Sequence, residues 1–414
     1  MNIYSNNDDM KLSELIQQAE ARFANFEVTT SSDAAFPSAY SGGTWAKASP
    51  QVLEVIRSLG FNLIGWANNH TLDFLYQGII DTRNALDDYG FIHAGVGNNL
   101  AEACKPRYLE CESGRVAIIA ATSTFHESWI AGEQRPDITG RPGVNPLRFI
   151  TTYDILPEKI SFLKALANQT GINAKNDLAI EEGYKTPAED GVFFFGNHRF
   201  REAKKDSVET RPCQKDMQRI IRSISEAKRQ ADYVLVSIHS HEMLGKRKEI
   251  PADFLKIFAR KCIDEGASAV IGHGPHLLRG IEIYKNHPIF YSLGNFIFQN
   301  ETINELPSDF YEMYGLGLTE NVADALDIRS CNDTKGLGVN SLVWESVIAC
   351  WVLNKDGLKE LLLYPIELGF SLPRYQRGWP KLSNDIKPLE RLKELSLPFG
   401  TDIEINGSIG KVLL

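Results

Sequence analysis

The chain has 414 residues, 43% hydrophobic and 23% charged, enough to bury the core of one large α/β domain or two. With 44 Lys and Arg against 53 Asp and Glu its net charge is −9, which argues against a nucleic-acid partner, since such a partner is held by neutralising phosphates. No apolar run reaches the roughly 18–20 residues that span a bilayer. Residues 1–9 are polar and lack the basic-then-apolar pattern of a signal peptide, so the sequence as given reads as cytoplasmic unless a signal or anchor has been removed. The six cysteines show no C-x-x-C spacing and read as scattered thiols rather than a disulfide or zinc framework.

In chain order, Leu12, Leu15, Ile16 and Ala19 carry the spacing of a buried helical stripe, with Asp8 or Asp9 as its cap. A strand over 22–26 ends at Glu27, and a Ser, Gly and Pro-rich loop runs to Pro50. A helix over 51–59 stops at Gly60, a strand over 61–67 breaks into Asn68-Asn69-His70, and a helix over 76–89 ends at Gly90. Strands are expected over 91–94 and 115–121. The pattern then weakens, and 150–212 reads as an insertion with a helix near 160–167 and a strand near 192–195. Helices over 213–230 and 251–265 lead into strands over 233–238 and 268–271, followed by a hairpin about Lys285-Asn286-His287. Residues 300–340 read as a lid-like loop with short helical pieces. Strands over 346–353 and 358–364, a helix over 387–395 and a turn-rich tail complete a single domain spanning 1–414.

Such alternation describes an α/β sheet covered on its faces. Glu27, Asn69-His70, His239-His241 and His273-His276 each follow the downstream end of an expected strand, and parallel strands would bring them to one rim, the edge where α/β sheets bind ligands. Five of the nine histidines fall in these places. Carboxylate, amide oxygen and imidazole are the donors that a pair of divalent metals requires. In Gly272-His273-Gly274-Pro275-His276 the Gly and Pro suit a loop that presents imidazoles. His241 reads either as a ligand or as a support to one, His70 as a proton donor, Asp73 as the carboxylate that orients it, and Asn295 as a pocket-lining, substrate-binding residue. His93, His126, His198 and His287 are isolated and read as surface or core histidines. No G-x-G-x-x-G opening a helix, Walker motif or G-x-S-x-G elbow is present.

Asn25-Phe26-Glu27, Ala67-Asn68-Asn69-His70-Thr71-Leu72-Asp73, Arg141-Pro142-Gly143-Val144-Asn145-Pro146-Leu147-Arg148, Gly272-His273-Gly274-Pro275-His276 and Tyr291-Ser292-Leu293-Gly294-Asn295-Phe296 resemble, in order, the blocks of the CapA family of capsule and poly-gamma-glutamate biosynthesis proteins. The resemblance implies a calcineurin-like metallophosphoesterase fold, a four-layer α-β-β-α sandwich with two mixed sheets. It implies a dinuclear divalent metal site (Mn, Fe or Zn), with Asn69, His239, His273 and His276 as ligands, Glu27 at the acidic position and His70 as the catalytic acid. Two departures stand out. The family's opening strand, ending in Gly-Asp, has no counterpart before Asn25, so a first strand and one ligand are expected to be missing. His239-Ser240-His241 replaces the family's His-Trp-Gly, which makes His241 a candidate replacement ligand. The implied activity is hydrolysis of a phosphate ester, in a small molecule or a polymer, by metal-activated water. The alternatives are a non-catalytic accessory protein that binds polymer or assembly partners, and a hydrolase of gamma-glutamyl bonds.

Overall fold

In a computed structural model of the protein, residues 7–31 and 34–414 are described. The capping role expected of Asp8 or Asp9 lies outside the described side chains.

The centre is a six-stranded sheet of β4 (Arg107–Cys111), β5 (Gly114–Thr122), β6 (Tyr233–His239), β7 (Ala269–His273), β8 (Leu278–Tyr284) and β9 (His287–Leu293), in the order β8-β9-β7-β6-β5-β4. Its inner strands β5, β6, β7 and β9 run parallel, while β8 and β4 pair antiparallel at the edges. A shorter parallel sheet, β1 (Phe23–Asn25), β2 (Leu63–Gly65) and β3 (Ile92–Ala94), lies against it, with β2 in the middle. β10 (Glu345–Asn354), β11 (Gly357–Glu367), β12 (Lys381–Leu382), β13 (Ile403–Asn406) and β14 (Ile409–Val412) form an antiparallel sheet beside the short one. The turn-rich tail expected at the C-terminus is in fact the β13–β14 hairpin, which pairs through β14 with β11.

Period-two alternation explains the layering. Ala117, Ile119 and Ala121 of β5 and Val234, Val236 and Ile238 of β6 pack under helices α4 (Gln214–Ala227) and α5 (Asp253–Asp264). The intervening Val116, Ile118, Ala120 and Leu235 face the other two sheets. Beyond the short sheet, α1 (Asn7–Gln17), α2 (Val52–Ser58) and α3 (Leu75–Asp88) bury Leu12, Leu53 and Ile79 with Ile64 and Trp66. Two sheets are therefore covered by helices on their outer faces.

Residues 149–212 form a four-stranded sheet with helices Pro157–Thr170 and Ala174–Glu181 at its side. Residues 300–340 hold two helices, Ser308–Met313 and α6 (Val322–Ser330). β1 pairs only with β2 and β10 only with β11 among the described residues, and both strands line one cavity of about 1660 Å³ that reaches the histidine clusters.

Candidate metal centre

Parity along the strands places the imidazoles. In β6, Leu235, Ser237 and His239 share the face that looks toward the short sheet, and in β7, Ala269, Ile271 and His273 do the same. β6 and β7 are parallel and in register His239↔His273, so the two histidines leave the sheet side by side. Glu27 follows β1 and Asn69 follows β2, both parallel strands of the facing sheet. The downstream ends of the two sheets meet here. Gly65 allows the approach, since a Cβ there would lie 2.8 Å from the Ser237 hydroxyl.

Glu27 Oε1 is the focus. It lies 3.7 Å from His239 Nε2, 3.9 Å from His241 Nε2 and 3.8 Å from His276 Nε2, and ligand atoms of Glu27, His241 and His276 fall within 4.8 Å of one another. Glu27 Oε1, His239 Nε2, His241 Nε2 and Asn69 Oδ1 are all buried without a hydrogen-bond partner. Leaving such atoms unpaired costs about 1–3 kcal/mol each, and carboxylate, amide oxygen and imidazole are donor types that could hold a divalent cation.

The partners of the remaining atoms fix which atoms face the gap. His276 Nδ1 donates to Asn295 Oδ1 (2.9 Å), and Asn295 Nδ2 donates to Val343 O (2.9 Å), which leaves a lone pair on His276 Nε2. Asn69 Nδ2 donates to Gly42 O (3.2 Å), so its Oδ1 is the inward atom. Asn25 Nδ2 donates to Glu27 Oε2 (3.0 Å) and leaves Oε1 facing the imidazoles. His276 adopts a left-handed backbone (φ 60°), and Gly274 (φ 123°) passes with its would-be Cβ 3.0 Å from the Ser240 backbone. Backbone strain at a site is tolerated where the surroundings enforce it.

His273 sits one step back. Its Nε2 is 2.8 Å from Ser237 Oγ and its Nδ1 is 2.9 Å from His239 Nδ1. Both ring nitrogens therefore have protein partners. Asn295, read from sequence as a substrate contact, has both polar atoms committed to His276 and Val343.

Across the site, His70 Nδ1 donates to Asp73 Oδ2 (2.7 Å), which also accepts from the Ala46 amide (2.7 Å). Asp73 is fully buried. Burial disfavours the charged imidazole most, but the adjacent Asp73 carboxylate, with Glu27 across the site, outweighs it and holds the His70 pKa above its ordinary value. Burial pulls the opposite way on Glu27, yet the surrounding imidazoles of His239, His276 and His241 hold it well below the usual carboxylate range. Burial lowers His239 strongly, lowers His276, and pushes His273 down to about 4. Near neutral pH burial therefore favours the neutral imidazoles of His239, His273 and His276 beside an ionised Glu27.

Several supporting residues carry no local sequence signal. Glu242 accepts from Ser123 Oγ (2.6 Å), Thr124 Oγ1 (3.0 Å) and Ser240 Oγ (2.9 Å), tying the end of β5 to the end of β6. Arg279, fully buried, donates to the carbonyls of Lys248 (2.8 Å), Ser240 (3.2 Å), His241 (3.3 Å) and Glu242 (2.9 Å). Asn25 was legible in principle, because residues i and i+2 of an extended chain share a face. His93 is a buried histidine bonded to Asp87 (2.9 Å), and His126 stacks on Tyr40 with ring centroids 3.8 Å apart. Among the described residues no helix is long and apolar enough to cross a membrane, and all six cysteines are free.

The family described as bacterial capsule synthesis protein PGA_cap matches residues 9–300. The uncharacterized protein y4sH of Sinorhizobium fredii is 35% identical over 97% of this chain and 87% of its own length. The capsule biosynthesis protein CapA of Bacillus anthracis is 23% identical over 70% of this chain and 52% of its own. A probable polyglutamine synthesis accessory protein of Mycobacterium tuberculosis is 25% identical over 71% of this chain and 60% of its own. The chain therefore belongs to the bacterial capsule synthesis PGA_cap family.

Proposed function

We propose that this chain is a metal-dependent phosphoesterase-like protein of capsule or poly-gamma-glutamate biosynthesis, built on a calcineurin-like layered sandwich. The observation that carries the reading is the set of buried, unpartnered acceptors on Glu27, Asn69, His239 and His241. Nitrogen and oxygen donors of this kind suit Mn, Fe or Zn. Glu27, Asn69, His239, His241 and His276 would hold the metal, with His273 acting through His239. Divalent ions there supply an activated water and neutralise charge on a phosphate group. The chain's own part is proton delivery. His70, oriented at Nδ1 by Asp73, offers Nε2–H to the leaving oxygen.

The test is hydrolysis of bis-p-nitrophenyl phosphate by protein reconstituted with Mn, Fe or Zn. Turnover that disappears on chelation and in His70→Ala supports the reading; metal-loaded protein with no turnover above buffer contradicts it. A second reading, an accessory protein that binds polymer or assembly partners without catalysis, is favoured by one feature. Glu27 is the only carboxylate within 4 Å of the Nε2 atoms of His239, His241 and His276 among the described residues. Two ions sharing one carboxylate are sparsely neutralised, and metal loading without turnover is what that reading expects.

A further inference from the structure

The segment 300–340 brings a basic side chain to the mouth of the metal site. Helix α6 starts with a reciprocal capping box between Asn321 and Asp324. It buries Ala325 and Leu326 in an apolar cluster with Trp45, Phe74 and Phe310, in which Trp45 and Phe310 meet edge to face at 6.4 Å. This packing seats the segment on the loop around residues 38–46. The same loop supports the site, because Gly42 O accepts from Asn69 and the Ala46 amide donates to Asp73.

Arg329, near the end of α6, donates from Nη1 to Thr44 Oγ1 of that loop, and its guanidinium lies 5.8 Å from the centre of the Phe310 ring. Its Nε and Nη2 have no hydrogen-bond partner, and no carboxylate lies within 4 Å of it, among the described residues. Neighbouring arginines differ. Arg374 is bound by Asp327 (2.6 Å) and Asp333 (2.6 Å), and Arg377 by Glu301 (2.5 Å). Glu305, on the same rim, faces Lys47 at 3.7 Å. Arg329 lines the same cavity as Glu27, His70 and His276.

A guanidinium with two adjacent N–H groups unused and no carboxylate nearby is a recognition fork for an oxyanion. We infer that Arg329 is the anion-recognition residue of this site: the substrate carries, beside the group that meets Glu27 and the histidines, a second oxyanion that takes the Nε and Nη2 edge of Arg329. The inference rests on the proposed metal centre only for where the reacting group lies. The oxyanion is a phosphate or a carboxylate, and the same chemistry serves both.

The test is calorimetric titration of inorganic phosphate and of tri-γ-glutamate into wild type, Arg329→Met, Arg329→Lys and Thr44→Val. Each protein is used metal-free and Mn-loaded, with metal content read on the same samples. At least one probe is expected to bind wild type and to weaken about tenfold or more in Arg329→Met. Arg329→Lys, which keeps the charge but not the fork, and Thr44→Val, which keeps the arginine but not its anchor, are expected to weaken the same probe by smaller factors. The probe that shows the effect identifies the oxyanion. Equal affinity in wild type and all three variants, or no binding of either probe by wild type, overturns the inference. Failure to take up metal counts against the metal centre alone, because the dependence on Arg329 is also read in the metal-free arm.

Discussion

His239 and His273 stand opposite one another on adjacent parallel strands, with their Nδ1 atoms 2.9 Å apart. One of the two nitrogens must carry the proton, and the choice decides what faces Glu27. If His239 Nδ1 donates, His273 can pass its own Nε2–H to Ser237 Oγ, and His239 Nε2 presents a lone pair to the gap. The reverse direction puts a proton on His239 Nε2 and closes the site to a cation. The proposed metal centre would require the first arrangement, and His273 is the residue that would permit it.

His273→Ala is accordingly expected to weaken metal binding by roughly tenfold to a hundredfold, as loss of a ligand's hydrogen-bond partner does elsewhere. His276→Ala removes a lone pair from the gap itself and is expected to cost more. Competition titration against a fluorescent chelator gives both numbers. Equal losses in the two variants would place His273 among the direct ligands.

The His70–Asp73 pair predicts a pH profile. Proton donation by His70 requires the charged imidazole, whose pKa the Asp73 carboxylate raises against the effect of burial. Activity is therefore lost as pH climbs through that raised value. In Asp73→Asn burial acts unopposed by the carboxylate, so the alkaline limb moves toward acid and the rate at neutral pH falls. An unchanged alkaline limb in Asp73→Asn contradicts the assignment of His70.

Stability of the metal-free protein depends on pH through the same cluster. The His273 imidazole is held down to about 4 by burial, whereas an unfolded histidine titrates near 6.5. The unfolded chain thus takes up a proton across this window while the folded one does not. The stabilisation is complete above about 6.5 and is lost as pH falls toward 4, on the order of 2–3 kcal/mol for this one group. His239 and His276 act in the same direction, and His70, raised rather than lowered, acts against it. Urea midpoints measured between pH 7.5 and 4 check the sign.

Arg279 holds the His241 loop through four carbonyls, and burial lowers its pKa to about 10 without discharging it. Arg279→Met is expected to destabilise the fold by about 2–4 kcal/mol, since it leaves buried carbonyls unpaired. It should also weaken metal binding through His241. Thermal melting and metal titration of this variant separate the two effects.

The convergence of the polar segments was legible because it depends on strand order alone. Four polar segments each followed an apolar strand, and parallel β1–β2 and β6–β7 bring them to one rim. The β6 and β7 strands themselves stand out as apolar runs because both faces are buried. Which of these side chains hydrogen-bond one another was not legible. That His273 contacts His239, and Asn295 His276, follows from side-chain directions set by the register between strands, which spacing does not encode. Arg279 donates to a loop more than thirty residues earlier in the chain, and no local pattern marks such a contact. The β13–β14 hairpin was hidden for another reason. Each strand has four residues, too few to show alternation, and tertiary pairing with β11 decides their state.

The central claim is that Glu27, His239, His241 and His276 converge on metal. Elemental analysis of protein purified without chelator tests it most directly. The account predicts one to two equivalents of Mn, Fe or Zn per chain, falling to background in His241→Ala/His276→Ala while the fold is retained by circular dichroism. A wild-type protein that stays metal-free after dialysis against each ion, or a double variant that keeps its full complement, would contradict it.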